Sequence, residues 1–234
     1  MRILFRKATA SFTLLAVLAC IPFTCFAQVI VSDAILEFKD GERLITDIAV
    51  GNYSADKTIQ IKSVITEVIN PASENAEHLS TKTLFTAPEM FTLSPKTQRA
   101  VRIASQERPE NKERIFRIVF SPKVIEQGGV ATSKIHTLTT TGVMVILNPP
   151  SPTENLTWER TEDRITFTNN GNTNLVLRRD GFCAKEIKCT ISGQRLWAGD
   201  MWVLSLPEPL QDKDISIEMR SLGEIKEVII PYEE

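Results

Sequence analysis

The sequence predicts an all-β protein made of two β-sandwich domains that are joined by a short proline-rich linker. Short segments rich in Val, Ile, Thr and Phe recur along the chain, and turn pairs such as Asp40-Gly41 separate them. No segment carries the 3.6-residue apolar repeat of an amphipathic helix. Three prolines within residues 148–152 divide the series, because proline cannot continue a central strand. The first half is therefore expected to hold roughly seven strands in about 120 residues, the size of one immunoglobulin-like unit.

Residues 1–27 are predicted to be a cleaved signal peptide. The start MRILFRK is basic, the stretch ATASFTLLAVLACIPF is apolar, and Cys25 and Ala27 are the small residues of a cleavage site. The apolar run is too short for a membrane span, and Pro22 interrupts it. An alternative stays open, since the residues before Cys20 loosely resemble a lipoprotein box. Cleavage leaves a formal charge of about −5, which argues against nucleic acid as a partner.

The first domain is predicted to span residues 28–148. Its strand-like segments alternate apolar and polar residues, as half-buried strands do. They are VIVSDAILEF, LITDIAVGN, TIQIKSVITEVI, RAVRIAS, RIFRIVFSP and GVMVILNPP.

The second domain is predicted to span residues 149–234 as a smaller immunoglobulin-like sandwich. Its segments are shorter: LTWER, RITFTNN, TNLVLRR, MWVLSL, DISIEM and IKEVIIP. The run Asn169-Asn170-Gly171-Asn172 predicts a hairpin turn, because Asn and Gly accept positive φ.

Cys183 and Cys189 are predicted to form a disulfide. They remain after the signal peptide is removed, and an even pair in an exported chain favours a disulfide. The bond would close a tight loop between two paired strands and give local rigidity. A zinc site would need two more ligands, and His78 and His136 are far away in sequence.

No catalytic pattern is present in the sequence. It contains no Gly-rich phosphate loop, no serine nucleophile elbow and no metal-binding His-Glu helix motif. The carboxylates are scattered over turns and polar faces. We therefore expect a protein that is not an enzyme and that uses no cofactor and no metal.

Two arginines stand between apolar residues on predicted strands. In ERIFRIVF, Phe116, Ile118 and Phe120 share one face, which leaves Arg117 on the other. Arg117 either pairs with a carboxylate of its own chain, such as Glu113 or Glu67, or binds a carboxylate that a partner brings.

Arg102 lies in the same way between Val101 and Ile103. Its predicted role is a structural ion pair, with Glu113 or across the domain junction.

The stretch LFTAPEMFTLSPKTQRAVRI resembles the signature of periplasmic pilus chaperones of the PapD-like superfamily. Ala87-Pro88 stands at the family's Thr-Pro step, Pro95 follows, and Val101-Arg102-Ile103 closes the motif. The segments KERIFRIVF and GVMVILNPP are similar to the last two strands of the family's first domain. Within the superfamily, EVINPAS, the NNGN turn and the two-cysteine loop are most similar to the alpha-type branch, which serves class 5 fimbriae and common pili.

The resemblance implies a mechanism called donor-strand complementation. A pilus subunit lacks the last strand of its sandwich, and the chaperone lends it a strand, which here falls in residues 133–148. The donor side chains would be Ile135, Leu138, Val143 and Val145, although core packing is an equal alternative for the two valines.

The resemblance also implies that basic residues bind the C-terminal carboxylate of the subunit. The better-known branch has basic residues in its first strand and late in its donor strand. Here VIVSDAILEF has none and the late position is Met144. Arg117 is the remaining candidate, with Lys62 and Lys123 as helpers.

We therefore expect a periplasmic chaperone whose partners are pilus subunits and an outer-membrane usher, with a self-capping dimer as an open question. One alternative is a structural pilus subunit or adhesin. Another is a chaperone-like protein that serves a different exported partner.

Overall fold

The structure, a computed structural model, describes residues 29–125 and 138–232. Within those ranges no helix is long and apolar enough to cross a membrane. The first strands are β1 Val29–Val31, β2 Ile35–Phe38, β3 Ile45–Asn52, β4 Ile59–Ile69, β5 Glu77–Ser80, β6 Leu84–Ala87, β7 Met90–Leu93, β8 Gln98–Ser105, β9 Arg114–Val124 and β10 Thr141–Leu147. The later elements are β11 Leu156–Arg160, β12 Arg164–Asn169, β13 Leu175–Ala184, β14 Ile187–Leu196, β15 Met201–Ser205, a 3-10 turn at Glu208–Leu210, β16 Ile215–Ser221 and β17 Glu224–Ile230.

Strands β1 to β10 form the first sandwich. One sheet has the order β1-β3-β8-β6, and the other has the order β2-β10-β9-β4-β5, with β7 also paired to β4. The chain changes sheets early, because β1 lies antiparallel to β3 whereas β2 lies parallel to β10. The facing sides enclose one core, in which Phe116, Ile118 and Phe120 are each 0% exposed. The predicted alternation along β9 is confirmed.

Strands β11 to β17 form the second sandwich. Its sheets have the orders β11-β12-β15 and β14-β13-β16-β17, and they enclose a separate core. In that core the rings of Phe167 and Trp202 stack with their centroids 5.6 Å apart. The predicted fold class of two β-sandwiches is confirmed.

Residues 148–155 connect β10 to β11 and carry no strand. The predicted division into residues 28–148 and 149–234 falls in this stretch and stays a prediction. Asn148 is buried here: its Nδ2 donates to Glu37 Oε1 at 2.9 Å, and its Oδ1 accepts from Thr173 Oγ1 at 3.1 Å. The linker is therefore tied to both sandwiches.

The predicted hairpin at residues 169–172 is wrong. The segment follows β12 and precedes β13, but β12 pairs with β11 and β15 while β13 pairs with β14 and β16. The turn therefore crosses between the two sheets. Its glycine serves a close approach, since a Cβ at Gly171 would collide with the carbonyl oxygen of Thr153.

Cys183 and Cys189 are joined by a disulfide that links β13 to β14, with their Cα atoms 5.6 Å apart. The described residues contain no group of three or more His, Cys, Asp or Glu that could hold a metal ion.

Candidate functional site

The outward face of the sheet β2-β10-β9-β4-β5 carries the residues of interest. Because side chains alternate along a strand, Ile115, Arg117 and Val119 of β9 point away from the core. Cross-strand pairing extends this face to the neighbours, where Arg117 lies beside Met144 of β10 and Thr66 of β4. Met144 in turn lies beside Ile35 of β2.

The second sandwich covers one end of this face. Ile115 and Ile146 are 5% and 0% exposed, because Trp197 of the second sandwich packs on them and is itself 6% exposed. Val68 and Met144 border this cluster. The outward face is therefore buried near the domain junction and open beyond it.

Where the cover ends, the face forms a groove of about 430 Å³. We call it the Arg117 groove; its lining residues come from the start of β2, the end of β4, β5 with its preceding turn, β9 and β10. They are Ala34, Ile35, Val68, Pro71, Ala76, His78, Ile115, Phe116, Arg117, Gly142, Val143 and Met144. Only His78 and Arg117 among them are ionisable, and His78 Nδ1 lies 3.1 Å from the Thr66 hydroxyl. The groove thus joins an apolar floor to one permanent positive charge.

The side chain of Arg117 is exposed and has no hydrogen bond or ion pair to any residue that the structure describes. Its two predicted intramolecular partners are engaged elsewhere. Glu67 accepts from Arg114 Nε at 2.7 Å and from Arg114 Nη2 at 2.8 Å. The prediction that Arg117 pairs with Glu67 or Glu113 is therefore wrong, and the alternative of a partner's carboxylate is left.

Glu113 belongs to the domain junction. Its Oε2 accepts from Asn174 N at 2.8 Å and from Asn174 Nδ2 at 2.7 Å, and its Oε1 accepts from Ala198 N at 3.1 Å. Burial raises the pKa of this carboxyl, and the hydrogen bonds from Asn174 and Ala198 oppose the rise. The carboxylate fixes the second sandwich to the start of β9.

The predicted ion pair between Arg102 and Glu113 is wrong. Arg102 Nε donates to Asp47 Oδ1 at 2.9 Å, because the two residues face each other across β8 and β3. The hydrogen bond from Arg102 lowers the pKa of Asp47. Arg102 and Glu113 cannot meet, since Arg102 lies in the other sheet of the first sandwich and Glu113 is held by the second.

Lys62 and Lys123 lie on the outward face but outside the Arg117 groove. Lys62 is paired with Ser121, four residues along β9 from Arg117, and Lys123 lies six residues along. At about 3.3 Å per residue these offsets are roughly 13 and 20 Å. Lys62 and Lys123 therefore do not line the Arg117 groove, and the prediction that they assist Arg117 stays a prediction.

The predicted donor residues divide into three groups. Val143 and Val145 are 0% exposed in the core of the first sandwich, so the core-packing alternative is correct for both. Leu138 is half-buried just before β10. Ile135 lies outside the described residues.

Sequence reasoning missed Arg114, Asn174 and Arg195. Arg114 binds Glu67 and Glu107 and lies over the Phe116 ring, 5.2 Å from its centroid. Arg195 donates to Asn174 Oδ1 and stacks on Trp197. No sequence signal links these residues, because their contacts join segments that are distant along the chain.

The chain matches a protein-family model over residues 28–151, more than half of its length, and the model describes the pili and flagellar-assembly chaperone, PapD N-terminal domain. No curated protein sequence matches the chain. Among solved structures, the class 5 fimbriae chaperone CfaA is 13% identical, over 88% of this chain and 99% of its own, with a TM-score of 0.61. A chain from the complex of the Salmonella enterica SafA pilin with the SafB chaperone is 16% identical, over 88% and 98%, with a TM-score of 0.60. The E. coli chaperone DraB is 14% identical, over 88% and 96%, with a TM-score of 0.56.

At these identities the solved structures show a shared fold. The family model adds the link in sequence. The chain belongs to the PapD family of pili and flagellar-assembly chaperones.

Proposed function

We propose that this protein is a periplasmic chaperone that binds pilus subunits and delivers them to an outer-membrane usher. It lends part of residues 133–148 to the subunit and holds the subunit's C-terminal carboxylate at Arg117. The observation that carries the proposal is the guanidinium of Arg117, which has no partner among the described residues and lies in an apolar groove. The predicted signal peptide and the family support the periplasmic location.

Strand β10 has an edge that can accept a partner. Its register with β2 begins at Met144, whereas its register with β9 begins at Thr141. Thr141 to Val143 therefore have a paired strand on one side only, within the part of the chain that the structure describes. Unpaired backbone groups at a sheet edge are a template for another strand, and a subunit with an incomplete sheet can supply it.

Arg117 suits a carboxylate for two reasons. A guanidinium binds a carboxylate through two parallel hydrogen bonds, which fixes its position as well as its charge. Once a partner's strand covers the groove, its apolar lining excludes water and strengthens that interaction. Arg117 also lies beside Met144, the late position of the donor strand where the resemblance leads us to expect a basic residue.

The proposal is tested by recovering complexes from the periplasm of the native host with a tagged chain. The wild type is expected to retain a pilus subunit in a one-to-one complex, and Arg117→Ala is expected to lose it while melting at the wild-type temperature. Arg102→Ala is the matched control, because it removes an exposed arginine from the other sheet of the same sandwich. Equal recovery with Arg117→Ala would remove Arg117 from the site, and incorporation of the chain into a fibre would show a structural subunit instead.

The donor segment is tested by Leu138→Glu. The new charge would be buried in the apolar groove of the subunit, so the complex is expected to weaken. Thr139→Glu places the same charge one residue away and is expected to have the smaller effect. Equal affinities of both variants and the wild type would show that Leu138 is not a donor residue.

A further inference from the structure

Gly142 is an unusual residue for its position in strand β10. Glycine weakens a strand, because it has the greatest freedom to lose on folding and no side chain to pack. The backbone at Gly142 does not require glycine, since its φ is outside the positive range that Gly41, Gly181, Gly199 and Gly223 adopt. A glycine in a strand without this requirement often marks a place that another group approaches closely.

The group that approaches Gly142 is the guanidinium of Arg117. A Cβ built on Gly142 would lie 3.4 Å from Arg117 Nε and 3.6 Å from Arg117 Nη2. Gly142 is paired with Val119 and Arg117 with Met144, so the arginine side chain leans diagonally from β9 onto β10. The charge therefore lies over β10, nearer to the edge strand β2 than the position of Arg117 in the sheet would place it.

We propose that Gly142 is a positioning residue for Arg117. Because it has no side chain, it keeps open the space in which the guanidinium lies, and so it sets where a partner's carboxylate is bound. This inference rests on the proposed function of the Arg117 groove. The effect on the guanidinium should increase with the size of the side chain at residue 142. A single methyl group stays at ordinary contact distance, whereas a β-branched side chain occupies the space of the guanidinium.

The claim is first tested without any partner. The Nε–Hε cross-peak of Arg117 in an NMR spectrum is identified by its absence in Arg117→Ala. We expect this cross-peak to shift strongly in Gly142→Val and weakly in Gly142→Ala. Ser121→Val is the control, since it places the same valine side chain on the outward face of β9, two residue pairs away from Gly142→Val. An unchanged cross-peak in Gly142→Val would overturn the inference whatever the chain binds.

The second test measures binding of an acetylated peptide of alternating valine and threonine that ends in a free carboxylate, compared with its C-terminal amide. The wild type is expected to prefer the carboxylate about tenfold, as a hydrogen-bonded charge pair provides. Gly142→Ala and Ser121→Val should keep most of this preference, and Gly142→Val should lose it. Valine favours strands, so Gly142→Val is expected to fold. If it does not, Gly142→Thr takes its place in these measurements.

A double-mutant cycle separates positioning from a general effect on the sheet. If Gly142 acts through Arg117, Gly142→Val has no further effect on the preference in the Arg117→Ala background. If both substitutions reduce the preference independently, the inference is wrong. A wild type that does not distinguish carboxylate from amide would overturn the proposed carboxylate site itself, whereas retained preference in Gly142→Val would overturn only the role of Gly142.

Discussion

The charged side chains at the start of strand β9 have partners within the protein, whereas the one farther along the strand does not. At the start, Glu113 accepts three hydrogen bonds from the second sandwich, and Arg114 binds two carboxylates of the first. In the middle, Arg117 has no partner among the described residues and lies in an apolar groove. The difference shows that a charged residue on a strand serves the structure where the fold supplies its partner, and is available to another molecule where the fold does not.

The largest effect on stability is expected for Glu113→Ala. The substitution leaves two backbone N–H groups and one side-chain amide without an acceptor in a buried junction, at a cost of about 3 kcal/mol. Chemical denaturation measures the loss. A variant as stable as the wild type would show that the carboxylate does not hold the junction.

The contribution of Glu113 is also expected to depend on pH. Its folded pKa lies above its ordinary value of 4.5, so between the two values the folded state binds more protons than the unfolded state. The contribution is therefore greatest below pH 4.5 and decreases as the pH rises through the folded pKa. The difference in stability between the wild type and Glu113→Ala, measured at a series of pH values, should decrease as the pH rises from 4.5 through the folded pKa. An increase would show that folding lowers the pKa of Glu113.

Arg114→Ala is expected to destabilise the first sandwich by about 2 kcal/mol, because it leaves the part-buried carboxylate of Glu67 without its two hydrogen bonds. Arg117→Ala is the matched control on the same strand and should change stability by less than about 0.5 kcal/mol. Thermal melting of both variants compares the two regions directly. Equal losses of stability in the two variants would show that the paired arginine contributes no more to the fold than the unpaired one.

Arg114→Lys sharpens the comparison. Lysine keeps the charge but cannot make the two parallel hydrogen bonds that Arg114 makes to Glu67. We expect a loss of about 1 kcal/mol, between the wild type and Arg114→Ala. A lysine variant that matches the wild type would show that charge alone is sufficient at this position.

Among the paired residues, the smallest effect is expected for Arg102→Ala. Arg102 also makes two hydrogen bonds to a carboxylate, Asp47, but this pair lies on the exposed surface and is screened by solvent. Its melting temperature should stay close to that of the wild type, also at low salt. A loss similar to that of Arg114→Ala would show that pairing matters more than burial.

The alternation along β9 and the outward orientation of Arg117 follow from local patterns in the sequence. Alternation places Phe116, Ile118 and Phe120 in the core, and three prolines separate the two sandwiches. The pairing of charges is different, because it depends on which segments meet in space. Glu67 pairs with Arg114 and not with Arg117, a choice that nothing in the local sequence of β9 indicates.

The faces of strand β10 show the same limit. Alternation alone predicts that Val143 and Val145 share a face, but it cannot say whether that face belongs to the core of this chain or to a partner's groove. Gly142 belongs to no apolar pattern in the sequence, and only the nearby Arg117 guanidinium explains a glycine at this position.

The tight junction at Glu113, Ile115, Ile146 and Trp197 has a consequence for the cost of capturing a subunit. One wall of the Arg117 groove is already ordered before a subunit binds, so the chaperone loses little conformational freedom when the complex forms. Association loses less affinity when a binding surface is organised in advance. The ordering that accompanies binding then takes place almost entirely in the subunit, whose own sandwich is incomplete.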